Sequence, residues 1–160
     1  MLYHVSIEAD DPCRVAAVFA EIWGGFAAPF PSVIDGSWVA LADDDRGTMI
    51  EVYPRGTELH QGEGEAGAFG KLGAHRRHNP THMAMATKLG IERIFAIAER
   101  EGWPLKYCKR GGRFGVIELW VEDCQMVEIL TPEMQEEYLA TITVKNWKLM
   151  LAAQGLAEAA

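Results

Sequence analysis

Residues 2–12 read LYHVSIEADDP, and residues 81–87 read THMAMAT. Both stretches are typical of a β-strand, and in the first one polar and apolar residues alternate. Each carries a histidine near its start, His4 in the first and His82 in the second, 78 positions apart. Two similar strands at this separation indicate that the chain contains an internal repeat.

The segment after the first strand predicts a helix and then more strands. The Asp-Pro pair at 11–12 supplies an N-cap and a proline suited to the first helical turn. Apolar residues then recur at helical spacing until the Gly pair at 24–25, which predicts the end of the helix. Two further strands are expected over residues 37–42 and 48–53.

The second half of the chain repeats this order. A helix is predicted over residues 89–101, and strands are predicted over 113–121 and 125–130. Two more pairs of residues keep nearly the same separation as the histidines: Glu51 with Glu128, and Phe19 with Phe95.

The repeat predicts an α+β fold, in which two strand–helix–strands modules cover one face of a curved antiparallel sheet with helices. The stretch between the modules is rich in glycine and lacks periodicity, which favours a functional loop. The last part of the chain predicts a helical tail. The expected boundaries are 1–54 for module one, 55–80 for the loop, 81–132 for module two and 133–160 for the tail.

Composition disfavours several classes of protein. The 160 residues include 15 Lys+Arg and 23 Asp+Glu, and the formal net charge of −8 argues against binding to nucleic acid or an anionic membrane. No apolar run approaches the ~18 residues of a membrane-spanning helix, and no signal peptide is expected. Cys13, Cys108 and Cys124 lack metal-site spacing, so we expect reduced thiols in a cytoplasmic protein.

Two histidine–glutamate pairs are the strongest candidates for chemistry. Glu51 and Glu128 each interrupt an apolar strand, where a carboxylate needs a partner. Their β-branched neighbours are expected to face the helices, which directs both carboxylates to the opposite face of the sheet. With His4 and His82 they provide two imidazoles and two carboxylates, a donor set that suits divalent iron, nickel, cobalt, zinc or manganese. A substrate with two neighbouring oxygens could complete the coordination.

The segments LYHVSIEADDP, TMIEVYP, THMAMAT and QMVEILTPE resemble the vicinal oxygen chelate superfamily, which includes glyoxalase I, extradiol dioxygenases and the fosfomycin and bleomycin resistance proteins. The resemblance covers residues 1 to about 132. It implies paired βαβββ modules that form a cup around a metal. His4, Glu51, His82 and Glu128 would be the metal ligands. It also implies a small-molecule substrate and a homodimer.

The resemblance leaves the reaction open. Possible ligands at all four positions are similar to those of glyoxalase I, which favours a lyase or isomerase with Glu128 as the catalytic base and Glu51 as the second candidate. An iron(II) extradiol dioxygenase is the alternative, with His4, His82 and Glu128 as its ligands. A non-catalytic protein that sequesters a small molecule is the alternative of another class. Glu8 stands where bacterial glyoxalases tend to have an arginine that holds a glutathione carboxylate, which disfavours a glutathione adduct.

Further side chains are expected near the substrate. The alternation of side chains along a strand places five of them on the same face as a candidate ligand. The sixth, Arg113, could bind an anionic group of the substrate. The histidines of the loop, His60, His75 and His78, could reach the site, although solvation is the expectation for each. The expected substrate-binding residues are Ser6, Glu8, Tyr53, Ala84, Met126 and Arg113.

Overall fold

The computed structural model describes residues 3–30, 33–63, 67–77 and 81–154. Ten strands and four helices lie in these ranges. They are β1 (His4–Ala9), α1 (Pro12–Trp23), β2 (Phe26–Pro29), β3 (Trp38–Leu41), β4 (Met49–Pro54), β5 (Thr57–His60), β6 (Phe69–Leu72), β7 (Met83–Ala86), α2 (Ile91–Glu101), β8 (Leu105–Arg110), β9 (Phe114–Val121), β10 (Gln125–Leu130), α3 (Pro132–Thr141) and α4 (Val144–Ala153).

The strands form two four-stranded sheets with the same order, which confirms the duplicated α+β fold. The first sheet runs β1-β4-β3-β2 and the second runs β7-β10-β9-β8. In each sheet the first strand of the module pairs in parallel with the last one, and the other pairs are antiparallel. The prediction of an antiparallel sheet was therefore wrong for one strand pair in each sheet, because a helix follows each first strand and lets the chain return in the same direction.

Local signals position the two helices that cover the sheets. Asp11 caps α1 by accepting a hydrogen bond from the backbone N–H of Arg14 at 3.0 Å, and Pro12 is the first helical residue. Gly24 ends α1 with a φ of 70°, and Gly102 ends α2 with a φ of 72°. Both glycines adopt the left-handed conformation, in which backbone N–H groups at the cap donate the closing hydrogen bonds to carbonyls of the last helical turn.

One hydrophobic core contains residues of both modules. Phe19 of α1 is fully buried in it, whereas the equivalent Phe95 of α2 is 41% exposed, so the repeat is not exact at this position. Burial of a side chain of this size contributes about 1.5–3 kcal/mol. The largest fully buried side chains are Phe19, Ile22, Ile50, Ile94, Ile97, Ile117, Leu119 and Ile129.

Ion pairs join the two helices across the module boundary. Glu21 of α1 accepts hydrogen bonds from Arg93 and Arg100 of α2, at 2.7 and 2.6 Å. Arg14 of α1 contacts Glu101 of α2 at 2.5 Å. The helices of the two modules therefore lie side by side.

The loop between the modules is more ordered than its composition indicated. It contains the hairpin β5–β6, and two arginines anchor its ends. Arg55 pairs with Asp10 at 2.5 Å and with Glu122 at 2.6 Å, while Arg77 pairs with Asp10 at 3.1 Å and donates to the backbone carbonyl of Glu122. Both ends of the loop are thus tied to module one and to the β9–β10 turn of module two.

Two further strands and a break between two helices were not predicted from the sequence. β2 and β8 are edge strands, which carry a weaker apolar pattern than central strands. The tail is two helices rather than one, because α3 ends at Thr141 and Thr143 caps α4 through the backbone N–H of Asn146. In the described part of the chain, no helix is long and apolar enough to cross a bilayer.

Candidate functional site

Glu51 is held on the first sheet by two hydroxyl groups. The register of β1 with β4 puts Ser6 beside Glu51, on the face opposite to the core residues Ile50 and Val52. We call this side of each sheet the open face. Ser6 Oγ donates to Oε2 of Glu51 at 2.9 Å, and Tyr53 Oη donates to the same oxygen at 2.5 Å. Both bonds go to Oε2, and among the described residues no side chain is seen to bond Oε1.

Tyr53 is a neutral donor to this carboxylate. Burial, followed by the hydrogen bond to Glu51, raises the pKa of Tyr53 to about 12. The phenol therefore keeps its proton at neutral pH. Only 9% of Glu51 and 5% of Tyr53 is exposed, so the carboxylate has a fixed position before any ligand binds.

The other predicted residues of β1 differ in their surroundings. His4 is exposed and lies two positions before Ser6, which puts it on the open face with Glu51. Glu8 accepts a hydrogen bond from the backbone N–H of Gly56 at 2.6 Å. Glu8 therefore fixes the turn that leads into the β5–β6 hairpin.

Glu128 occupies the equivalent place in the second sheet but has a charged partner. Arg110 of β8 donates through Nη2 to Oε1 of Glu128 at 2.6 Å and to Oε1 of Glu118 at 2.7 Å. Lys106 lies 3.1 Å from Oε2 of Glu118. Two cations and two carboxylates thus form a network across β8, β9 and β10. In the part of the chain that the structure describes, Arg110 contacts Glu128 through Oε1 only.

Glu118, Lys106 and Arg110 were missed at the sequence level. Burial alone would raise the pKa of Glu118, but the hydrogen bond and charge of Lys106 and the charge of Arg110 hold it below its ordinary value. Glu118 interrupts the apolar strand VIELW as Glu128 interrupts its own strand, so the same pattern could have revealed it. The arginine could not be found in this way, because β8 was not predicted.

The two modules place their histidine and glutamate in the same relation. In module one, the residue two positions after His4 lies beside Glu51 in the parallel register. In module two, the residue two positions after His82 is Ala84, which lies beside Glu128. The prediction of equivalent pairs in the two modules therefore rests on matching strand geometry and not only on spacing. Two imidazoles and two carboxylates are a suitable donor set for a divalent transition metal.

The described part of the chain does not gather these four groups at one point. Within residues 3–30, 33–63, 67–77 and 81–154, no three His, Cys, Asp or Glu side chains are placed to share an ion. His4 lines a cavity of about 460 Å³ together with Ala84. Glu128 lines another cavity, of about 550 Å³, together with Arg113. Met126 is half-buried and shares the open face with Glu128.

The histidines of the loop have local partners. His60 stacks on Phe69 with ring centroids 5.8 Å apart and lies 3.7 Å from Glu58. His75 lies beside Gly56 at the base of the hairpin. His78 lies outside the described residues.

Several solved proteins have a similar fold. The fosfomycin resistance protein FosX of Listeria monocytogenes is 15% identical over 88% of this chain and 96% of that chain, with a TM-score of 0.56. The trypanothione-dependent glyoxalase I of Leishmania major is 14% identical over 98% and 99%, with a TM-score of 0.51. Lactoylglutathione lyase of Agrobacterium tumefaciens is 12% identical over 81% and 91%, also with a TM-score of 0.51.

No protein-family model matches the chain, and no curated protein matches it in sequence. The similarity to solved structures therefore defines a fold. Glyoxalase I, FosX and lactoylglutathione lyase are all vicinal oxygen chelate proteins, so the resemblance carried by the four sequence segments is confirmed at the level of the fold. The chain has the glyoxalase-like α+β fold.

Proposed function

We propose that the chain is a metal-dependent enzyme of the lyase or isomerase type, which acts on a small substrate with two neighbouring oxygen atoms. The observation that carries the proposal is the equivalent placement of the pairs His4–Glu51 and His82–Glu128. FosX, which shares the fold, has been solved with Mn(II), and this supports a divalent metal. A metal held by these groups would act as a Lewis acid toward the substrate oxygens.

A second copy of the chain would complete this site. One chain presents the two pairs separately, and three or more metal-binding groups do not come together in its described part. In a homodimer, the pair His4–Glu51 of one copy can meet the pair His82–Glu128 of the other. A two-fold axis then produces two such sites.

The surroundings of the two carboxylates favour different roles. Movement of Glu51 would break its hydrogen bonds to Ser6 and Tyr53, so Glu51 suits a fixed metal ligand. Glu128 is held through one oxygen by Arg110, a long side chain that is 40% exposed. Oε2 of Glu128 can therefore take a proton from carbon next to a substrate carbonyl while Arg110 keeps the carboxylate oriented.

The six predicted substrate-binding residues fall into two groups. Ser6 and Tyr53 position Glu51, and Glu8 stabilises the loop turn, so these three contribute indirectly. Ala84, Met126 and Arg113 remain predicted substrate contacts. Ala84 lies beside Glu128 in the strand register and lines the cavity of His4, and Arg113 supplies a positive charge to the cavity of Glu128.

The experiment that tests the proposal is elemental analysis of the purified protein by mass spectrometry. We expect about one transition-metal ion per chain, since each dimer would hold two sites. The double variant His82→Ala, Glu128→Ala should lose the metal. A matched control, His60→Ala with Glu92→Ala, removes the same types of side chain from the hairpin and from the exposed side of α2, and should retain it.

The identity of the metal separates the reactions. Nickel, cobalt, zinc or manganese would favour the lyase or isomerase, whereas iron that is lost in air would favour the extradiol dioxygenase. If no ion binds even after reconstitution with each of them, the enzyme proposal is wrong. A non-catalytic binding protein would then be the remaining function.

A further inference from the structure

The cavity beside Glu128 has a wall that module one lacks. This wall is the C-terminal helical hairpin α3–α4, which follows β10 directly and has no counterpart after β4. The cavity has a volume of about 550 Å³, a size suited to a small organic ligand. Its lining includes Arg110, Arg113, Phe114, Tyr138, Trp147 and Met150.

Specific contacts hold α3 against the second sheet. Phe114 of β9 and Tyr138 of α3 pack edge to face, with ring centroids 5.2 Å apart. Glu137 of α3 accepts hydrogen bonds from Lys109 Nζ at 2.6 Å and from the backbone N–H of Gly115 at 2.8 Å. The near wall of the cavity is therefore fixed by both apolar and ionic contacts.

The turn between the two helices fixes the direction of α4. Asn146 Nδ2 donates to the backbone carbonyls of Ala140 and Thr141, both at 3.0 Å, and its backbone N–H is capped by Thr143. These bonds satisfy carbonyls at the end of α3 and a free N–H at the start of α4. As a result, Trp147 and Met150 of α4 line the cavity that contains Glu128.

The lining combines a free positive charge with an apolar surface. The charge of Arg110 is balanced by Glu118 and Glu128, but Arg113 forms no ion pair with any residue in the described ranges. Trp147 is 53% exposed although it lines a cavity. A flat apolar side chain and an arginine that face the same space fit an organic anion with an aromatic ring.

We propose that the cavity between α4 and the β8–β9 turn is the substrate subsite for the body of a small aromatic carboxylate or similar aromatic anion. Arg113 pairs with its negative charge, and Trp147 contacts its ring. The inference rests on the proposed function in taking Glu128 as a group that meets the substrate, and it specifies the class of that substrate. The hairpin α3–α4 is then the element that gives module two its binding specificity.

The test is calorimetric titration of the metal-free full chain with phenylacetate. Acetate has the same charge without the ring, and 2-phenylethanol has the ring without the charge. We expect phenylacetate to bind at least tenfold more tightly than either of them, with about one site per chain. Arg113→Gln and Trp147→Ala should each weaken phenylacetate binding about tenfold.

Two control variants test whether the loss of binding is specific to residues that line the cavity. Arg46→Gln removes an exposed arginine from the β3–β4 turn, and Val144→Ala truncates a 75% exposed residue on α4 that does not line the cavity. Both should bind phenylacetate like the parent protein, and circular dichroism of Trp147→Ala should show that α4 remains folded. Phenylacetate that binds no better than acetate or 2-phenylethanol, or equally well to Arg113→Gln, would overturn the subsite.

The titration is independent of the metal experiment. The titration uses metal-free protein, so its result does not depend on whether the chain binds a metal. If phenylacetate binds selectively and elemental analysis finds no metal even after reconstitution, the cavity is supported and the proposed metal chemistry is rejected. Metal binding without selective phenylacetate binding would reject the cavity and leave the metalloenzyme intact.

Discussion

Glu51 and Glu128 occupy equivalent positions, yet their neighbours are of opposite types. Ser6, beside Glu51, offers a hydroxyl, and Ala84, beside Glu128, offers only a methyl group. Glu128 consequently depends on Arg110 for its hydrogen bond. Neutral donors keep the charge of Glu51 available for a metal, whereas an arginine competes with a metal for Glu128.

Tyr53→Phe tests the contribution of the neutral donors. The change removes one of the two hydrogen bonds to the buried Glu51 carboxylate, and hydrogen bonds to charged groups contribute about 1.5–3 kcal/mol. We expect the free energy of unfolding of the metal-free protein, measured by urea denaturation, to fall by about 1.5–3 kcal/mol. Tyr3→Phe, at a position that is 56% exposed, is the control and should change stability by less than about 0.5 kcal/mol. Equal stability of the two variants would show that the hydroxyl of Tyr53 does not support Glu51.

At the scale of secondary-structure elements, two adjacent glycines connect α1 to the first sheet for different reasons. Gly24 has a φ of 70°, and a Cβ there would meet no atom within 4 Å. Gly25 has no positive φ, but a Cβ there would lie 1.9 Å from the carbonyl oxygen of Leu41. The first glycine permits the helix to end, and the second permits the chain to pass close to β3.

Alanine substitutions separate these two requirements. Gly24→Ala should cost about 1–2 kcal/mol, the usual penalty for a left-handed conformation with a Cβ. Gly25→Ala should cost more, about 3 kcal/mol, because backbone atoms of β3 must move to relieve the overlap. Thermal or urea unfolding of both variants measures the difference. If Gly25→Ala were the milder of the two, the close approach of the chain to Leu41 would not exist in solution.

At the scale of the whole molecule, the two modules are joined through their helices. Glu21 pairs with Arg93 and Arg100, and residues of both modules share one core. The helix-covered face of each sheet therefore lies inside the molecule. The opposite faces carry the candidate ligands: Glu51 is buried on the first, and on the second Glu128 lines a cavity walled by α3–α4.

Subunit mixing tests whether the metal site spans two copies. One variant carries His4→Ala with Glu51→Gln, and the other carries His82→Ala with Glu128→Gln. Neither should bind metal by itself. After the two are unfolded together and refolded, each mixed dimer should regain about one complete site, since one of its two sites combines the intact halves.

The control for subunit mixing is each variant refolded alone. Metal content of the mixed dimer, separated by different affinity tags, is the measurement. A wild-type protein that binds metal together with a mixed dimer that binds none would place the site within a single chain.

Local sequence patterns predict the repeat, both covering helices, and the first strand and the two central strands of each sheet. These features depend on local properties: alternation of polar and apolar residues, the cap at Asp11, and the glycines that end the helices. The equivalence of Glu51 and Glu128 could also be read from the sequence, because the repeat fixes their positions within matching strands.

The groups that surround those carboxylates come together only when the strands of each sheet pair. Arg110 lies on an edge strand that has no strong pattern and reaches Glu128 across β9, and Arg55 links Asp10 to Glu122 across 112 residues of chain. The separation of the two histidine–glutamate pairs within one chain has the same origin. Contacts between distant residues depend on how the two sheets and their helices pack, and local sequence patterns carry no information about that packing.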